Sequence, residues 1–285
     1  MNSEFNFLNV SEDKSRVSGL SNKPVLILAA GPSLFKNIKW IKDNADKFII
    51  ISISANLKLL SKYKIKPDII VQLDSEEEAN LINLEDVDMD FISDAIVLLS
   101  SLTHENVVKK FEKNNKFMIQ AFSEYFNKLG RLVSFSVGEV TYAFALLYNA
   151  KEIYLLGLDF SLDPETNESH SIAHQRNIVH KNIKNSNKHE ELNLKHNFHK
   201  IKGNFVEEIN TTSILYASLC EFDNFTHRLK QDDTNIYNLS NGAYLQNTKA
   251  LKVESLDLDC FAVVNKIELK EQLDEEFLKN SKNCF

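Results

Sequence analysis

"VLILAAGPSL", residues 25–34, runs six apolar residues into a Gly31-Pro32-Ser33 corner, after which Leu34 opens a new pattern. A run this short and apolar throughout fits a strand buried on both faces of a parallel sheet. Comparable Val- and Ile-rich runs stand at 48–54, 68–73, 95–100 and 152–157, with weaker ones at 116–120 and 235–239. Helical periods fill the gaps: Leu34, Ile38 and Ile41; Leu215, Leu219 and Phe222; and a fuller stripe of Val140, Ala143, Phe144 and Leu147. Strands alternating with helices imply βαβ units and an α/β fold with a doubly wound, mostly parallel sheet.

The rest of the composition narrows the class. With 33 basic and 40 acidic residues the net charge is −7, which argues against a general nucleic-acid binder. Cys220, Cys260 and Cys284 form no CxxC pair, so neither a disulfide framework nor a structural zinc site is expected. No apolar run approaches the ~20 residues of a membrane span, and "MNSEFNFLNVSEDKSR" is too polar for a secretory signal. A soluble cytoplasmic protein is expected, with oligomer formation left open.

Three segments depart from the alternating pattern. Residues 1–22 are polar without a sustained period and read as an arm. Residues 161–205 hold Pro164 and six of the eight histidines with little apolar content, which reads as a lid inserted in the domain of residues 23–262. Residues 263–285 read as an exposed amphipathic C-terminal helix.

Ligands of open α/β sheets bind beyond the carboxyl ends of the strands, and four polar positions fall there: Gly31-Pro32-Ser33, Asn56, Asp74 and Asp159. Gly31 lets the backbone approach a ligand, and the N–H groups of the following helical turn suit an anion such as a phosphate. Ser33 serves equally as a helix N-cap, and either aspartate could simply order a loop. GxGxxG and GxxxxGK[ST] are both absent. In "ESHSIAHQRNIVH", 168–180, His170 and His174 have the spacing of one helix face. Without an intervening HExxH glutamate or a third ligand they read as candidate general bases rather than metal ligands.

Taken in order, "AAGPSL", "SVGEVTYAFALLYNAKEIYLLGLDF" and "SHSIAH" resemble the bacterial CMP-sialic-acid sialyltransferases. The frame "KPDIIVQLD…GLDF…SH…NLSNGAYLQNT" resembles still more the motility accessory factor (Maf) family, which transfers nonulosonic acids to flagellin. The resemblance spans roughly residues 23–250 and implies a Rossmann-like, sialyltransferase-like fold. It implies a CMP pocket lined by Gly31, Pro32, Ser33 and Asn56, supported by Asp74 and Asp159, and closed by Ser240, Asn241 and Gly242. Gly138 corresponds to the glycine that opens the long helix, where the sialyltransferases carry Ser-Gly and this chain carries Val137-Gly138. The sialyltransferases place the catalytic histidine at His174 and the Maf "SHA" motif at His170; His174 is preferred. Where the sialyltransferases have a tyrosine after "DF" to hold the leaving phosphate, Ser161 stands here, which leaves Arg131, Arg176 and the helix after Gly31 as candidates.

The implied activity is that of an inverting glycosyltransferase. It would move a pseudaminic, legionaminic or sialic acid from its CMP donor to a hydroxyl, flagellin Ser/Thr above all, with no metal and no cofactor beyond that donor. Two alternatives remain at this stage. One is an MptE-like pterin diphosphokinase using ATP and Mg²⁺ on Asp74 and Asp159. The other is a non-catalytic protein that binds nucleotide sugar or flagellin.

Overall fold

The computed structural model describes residues 5–12, 19–171 and 198–284. In chain order these form β1 (Phe5–Leu8), β2 (Val25–Leu28), α1 (Pro32–Lys36), α2 (Ile38–Asn44), β3 (Ile49–Ile53), α3 (Leu57–Tyr63) and β4 (Ile69–Gln72). There follow α4 (Glu77–Asn83), β5 (Ile96–Ser100), α5 (Glu105–Lys110), β6 (Lys116–Ile119), α6 (Val137–Leu147) and β7 (Glu152–Leu156). Beyond residue 197 come β8 (Phe198–Lys202), β9 (Glu208–Thr212), α7 (Ser213–Leu229), β10 (Asn235–Asn238), β11 (Lys249–Ala250), α8 (Lys266–Lys279) and β12 (Ser281–Cys284).

One ten-stranded sheet carries the fold, in the order β11-β10-β7-β2-β3-β4-β5-β6-β1-β12. Every pairing in it is parallel except β1 with β12. All seven apolar runs read from the sequence are strands of this sheet, and its central strands are buried on both faces, as wholly apolar runs require. From β2 the chain steps outward to β6, then α6 carries it back to β7 on the other side of β2. The crevice between β2 and β7 is therefore the topological switch point, where open α/β sheets bind ligands.

Side chains alternate between two helical layers. Val25, Ile27, Ile49 and Ile51 pack with α6, α7 and α8, whereas Leu26, Leu28 and Ile50 pack with α1, α2 and α3. The Leu34–Ile41 period is not one helix: Asn37 breaks it into α1 and α2, with its side-chain amide on the Ser33 carbonyl at 2.9 Å.

Both chain ends differ from the sequence expectation. The 1–22 segment contributes β1, which inserts between β6 and β12. Only four residues long and half buried, "FNFL" lacks the continuous apolar run that marked the other strands. The 263–285 segment is not an exposed helix throughout. Leu269, Leu273 and Phe277 of α8 are buried in the main core, and residues 281–284 turn back as β12. Of the 161–205 segment, residues 172–197 lie outside the described residues; its far end, expected to be irregular, forms β8 and pairs with β9 as a hairpin.

The Phe277 ring meets Phe117, Phe144 and Tyr148 edge-on at 5.2–5.8 Å. Phe277→Ala should therefore cost about 3–5 kcal/mol, the range for a buried aromatic, measured by urea unfolding. A loss below about 1 kcal/mol would return α8 to the status of an appendage.

Candidate functional site

At the switch point the corner after β2 closes on the protein's own carboxylate. Gly31 N–H donates to the Gly157 carbonyl at 2.8 Å, tying the end of β2 to the end of β7. The Ser33 hydroxyl donates to one oxygen of Asp159, and the Ser33 N–H reaches the other at 3.3 Å. The Asn241 N–H donates to the Ser33 hydroxyl at 2.8 Å, and the Gly157 N–H donates to the Ser240 hydroxyl at 3.0 Å. A Cβ on Gly31 would overlap Asp159 Oδ2 and stand 2.5 Å from the Gly157 carbonyl, so glycine is required there by close approach. Gly157 has φ +85°, a conformation that glycine alone adopts cheaply.

This geometry revises the phosphate-cradle reading of the corner. The anion that meets the first turn of α1 is Asp159, and the Ser33 hydroxyl both donates and accepts within the protein. Asp159 is buried, and burial pushes its carboxyl up to about 6, against the downward pull of the Ser33 hydroxyl and N–H.

Beside this clasp lies a cleft of about 470 Å³ along the carboxyl edge of the sheet. Gly31, Asp74, Gly138, Asp159 and His170 line it. His170 is brought there by a pinned segment. The Leu162 N–H bonds the Asn210 carbonyl and the Ser171 N–H the Ala30 carbonyl, each at 2.8 Å, while Lys36 holds Asp163 at 2.7 Å. The His170 Nδ1 lies 2.7 Å from the Ser169 hydroxyl. Asp74 is ordered by its loop: its carboxylate accepts from the Glu76 N–H, and its carbonyl accepts from the Gln72 and Asn80 amides, all at 3.0 Å.

The first turn of α6 supplies the other wall. Ser136, its N-cap, makes no capping hydrogen bond to the backbone; its hydroxyl goes instead to the Glu139 carboxyl. Glu139 is fully buried, which pushes its carboxyl upward. Gly138 packs against Leu158, where a Cβ would stand 2.6 Å from Leu158 Cδ2, so the helix approaches the β7 end closely.

Five of the sequence candidates thus meet in one cleft; the others sit behind it or elsewhere. Pro32 and Ser33 are buried in α1. Asn56 is buried with its amide on the Leu28 carbonyl at 3.0 Å and holds the strand end rather than facing the cleft. Ser240, Asn241 and Gly242 form the outer side of the clasp, with Gly242 packed on the Asp159 backbone. His174 and Arg176 lie outside the described residues. Arg131 donates to the Phe122 carbonyl. Residues that sequence reasoning missed complete the lining: Asn80 and Asn83 of α4, and the exposed rings of Phe122 and Phe135. The two asparagines follow no strand directly and the two phenylalanines carry no polar group, so none of the four shows the signature of a strand-end site residue.

Fold and cleft together define a doubly wound α/β protein with its site at the switch point. Residues 2–165 match the profile of the 6-hydroxymethylpterin diphosphokinase MptE-like family, more than half of the chain, and the chain belongs to that family. Sequence comparison with curated proteins gives no match. Among solved structures, the Maf glycosyltransferase from Magnetospirillum magneticum AMB-1 shares the fold, with a TM-score of 0.67 at 19% identity. That alignment covers 99% of this chain but 40% of the Maf chain, so this chain spans less than half the length of that relative. No helix among the described residues is long and apolar enough to cross a membrane.

The Asp159 clasp makes a pH prediction. A carboxyl at about 6 in the folded protein against an ordinary value of 3.8 means that, between those values, the folded state holds a proton which the unfolded chain has already released. The contribution of Asp159 to stability is therefore fully present below about pH 4 and is lost as pH rises through about 6. Asp159→Asn should lack that slope. Urea midpoints across the window would show it; parallel curves for the two proteins would mean that Asp159 titrates normally.

Proposed function

We propose that the chain is a glycosyltransferase of the inverting kind, taking a nonulosonic acid (pseudaminic, legionaminic or sialic) from its CMP donor to an acceptor hydroxyl, with flagellin Ser/Thr as the acceptor. The observation that carries the reading is that the uncapped first turn of α6 and His170 face one cleft at the switch point. Likeness in fold to a Maf glycosyltransferase supports it. The first-turn N–H groups of α6 suit a phosphate, and the helix dipole favours its charge. Among the described residues no lysine or arginine lines the cleft, which suits the single phosphate of a CMP-sugar better than a triphosphate.

In the reaction the acceptor oxygen attacks the anomeric carbon, the bond from that carbon to the phosphate oxygen breaks, and the acceptor proton passes to a histidine. CMP departs with the bonding electron pair, stabilised by backbone N–H groups. The histidine belongs to the His170/His174 pair. His170 is the member placed in the cleft; His174 is the member favoured by resemblance to the sialyltransferases.

The family name favours a second reading, an ATP- and Mg²⁺-dependent pterin diphosphokinase. Its Mg²⁺ would need Asp74 and Asp159 together. The Asp159 carboxylate already accepts from the Ser33 hydroxyl and N–H, which makes it a poorer cation ligand than an uncommitted carboxylate. The third reading, a binding protein without catalysis, predicts nucleotide affinity without transfer.

CMP or CDP should raise the melting temperature, by mass action on the folded state, and ATP–Mg²⁺ should do much less. Stabilisation by ATP–Mg²⁺ alone would favour the diphosphokinase. Transfer should persist in EDTA; activity lost on chelation and restored by Mg²⁺ would overturn the metal-free scheme. Either His170→Ala or His174→Ala should lose ~10²–10⁴-fold in transfer while binding CMP normally by calorimetry. Full activity in both variants would exclude histidine base catalysis.

A further inference from the structure

Ser136-Val137-Gly138-Glu139, at the start of α6, spells the S-x-x-E of a capping box. In that motif the serine hydroxyl accepts from the glutamate N–H and the glutamate carboxyl accepts from the serine N–H, so the helix satisfies its own first turn. Here, among the described residues, neither bond is made. The Ser136 hydroxyl donates to the Glu139 carboxyl instead, and the two side chains that would cap the helix hold each other.

Packing does not account for the glutamate. No part of Glu139 is exposed, and α6 is buried throughout from Gly138 to Leu147. A carboxyl buried there costs free energy that leucine or methionine would not. Among the described residues no basic side chain pairs with it, and its carboxyl reaches no backbone N–H but its own. Oε2 is taken by Ser136. Oε1 is buried without a hydrogen-bond partner, although the hydroxyls of Ser134 and Ser218 lie close by, and the Ser134 hydroxyl is itself buried and unpartnered. What the exchange of partners achieves is an open first turn. Val137 and Gly138 both line the cleft, and among the described residues neither N–H has an acceptor. Freed from the carboxyl, the Ser136 hydroxyl would turn to the N–H of residue 139, as a serine N-cap does, and would stand in front of that turn. Ser136 lines the cleft and Glu139 does not, so the carboxyl acts through the serine rather than on the ligand.

We propose that Glu139 is a positioning residue for the ligand's phosphate: its carboxyl holds the Ser136 hydroxyl off the helix cap, so that the N–H groups of Val137 and Gly138 stay open to the phosphate. The proposal rests on the phosphate reading of that turn given above and adds what keeps the turn available. A phosphate that meets the wild type displaces no cap. In a chain without the carboxyl it must first displace the Ser136 hydroxyl, and its affinity falls by the worth of one N-cap.

The test measures binding of CMP by calorimetry and of inorganic phosphate by NMR titration. In Glu139→Leu both affinities should fall about fivefold, the worth of one N-cap. The melting temperature should hold or rise, because a cap is gained and a buried carboxyl is lost. Adding Ser136→Ala removes the competing hydroxyl and should return both affinities to within about twofold of the wild type, a rescue that a merely structural loss would not show. Glu139→Gln keeps an oxygen for Ser136 and should also bind within about twofold. Hydrogen exchange reads the same competition without ligand: the N–H of residue 139 should gain protection in Glu139→Leu and lose it when Ser136→Ala is added. Should the leucine variant not fold, Glu139→Met, with a flexible chain of similar length, takes its place. Unchanged binding in Glu139→Leu, an equal loss in Glu139→Gln, no recovery with Ser136→Ala, or no gain of protection at residue 139 would overturn the proposal. So would a wild type that binds neither probe at millimolar concentration. If inorganic phosphate follows the series but CMP does not bind the wild type, the nucleotide reading falls and the role of Glu139 stands.

Discussion

The contact on which the rest of the site depends is the carboxylate of Asp159 buried against the first turn of α1. Three stretches far apart in sequence converge on it: the Gly31–Ser33 corner after β2, the Gly157–Asp159 end of β7, and the Ser240–Asn241 turn after β10. Without a partner, such a burial would be costly for the carboxylate and would leave the Ser33 hydroxyl and N–H unsatisfied. Made together, these bonds hold the strands bordering the switch point at fixed spacing. A Cβ at Gly31 or Gly242 would overlap Asp159, so the side-chain volumes are set by the same contact.

Filling the corner from within decides where a ligand can go. The cleft opens beside the clasp, between the first turn of α6, the Asp74–Asn83 wall and the segment that ends at His170. Its electrostatics are those of backbone dipoles and neutral amides rather than of cationic side chains. Asp74 and Asp159 are the acidic side chains in its lining, and its distal wall is apolar.

Likeness to the Maf glycosyltransferase extends over nearly all of this chain but less than half of the other. What the two share is the doubly wound sheet. Family membership follows from the residue 2–165 match. The first shows the fold and the second the family; the chemistry is argued from the residues of the cleft.

Seven strands were legible because parallel strands buried on both faces leave continuous apolar runs. The loops beyond their carboxyl ends were legible because the switch-point rule depends on chain order. Gly31, Asp74 and Asp159 were found that way, His170 from its spacing with His174, and Gly138 from the family resemblance; all five line one cleft. The sequence could not say which way each side chain turns. Ser33 and Asn56 have the same local signature as ligand-binding residues, and only packing against β7 and β2 turned them inward. β1 and β12 were hidden because strands of four residues at this end of the sheet gain their stability from pairing with each other and with β6, not from their own composition. Phe122 and Phe135 carried no sequence signal, and only the folded structure shows them exposed in the cleft. Local pattern determined the order of the elements and the edge that carries the site; tertiary contact decided which residues face it, because the anion for the Gly31 corner comes from a residue 126 positions away from Ser33.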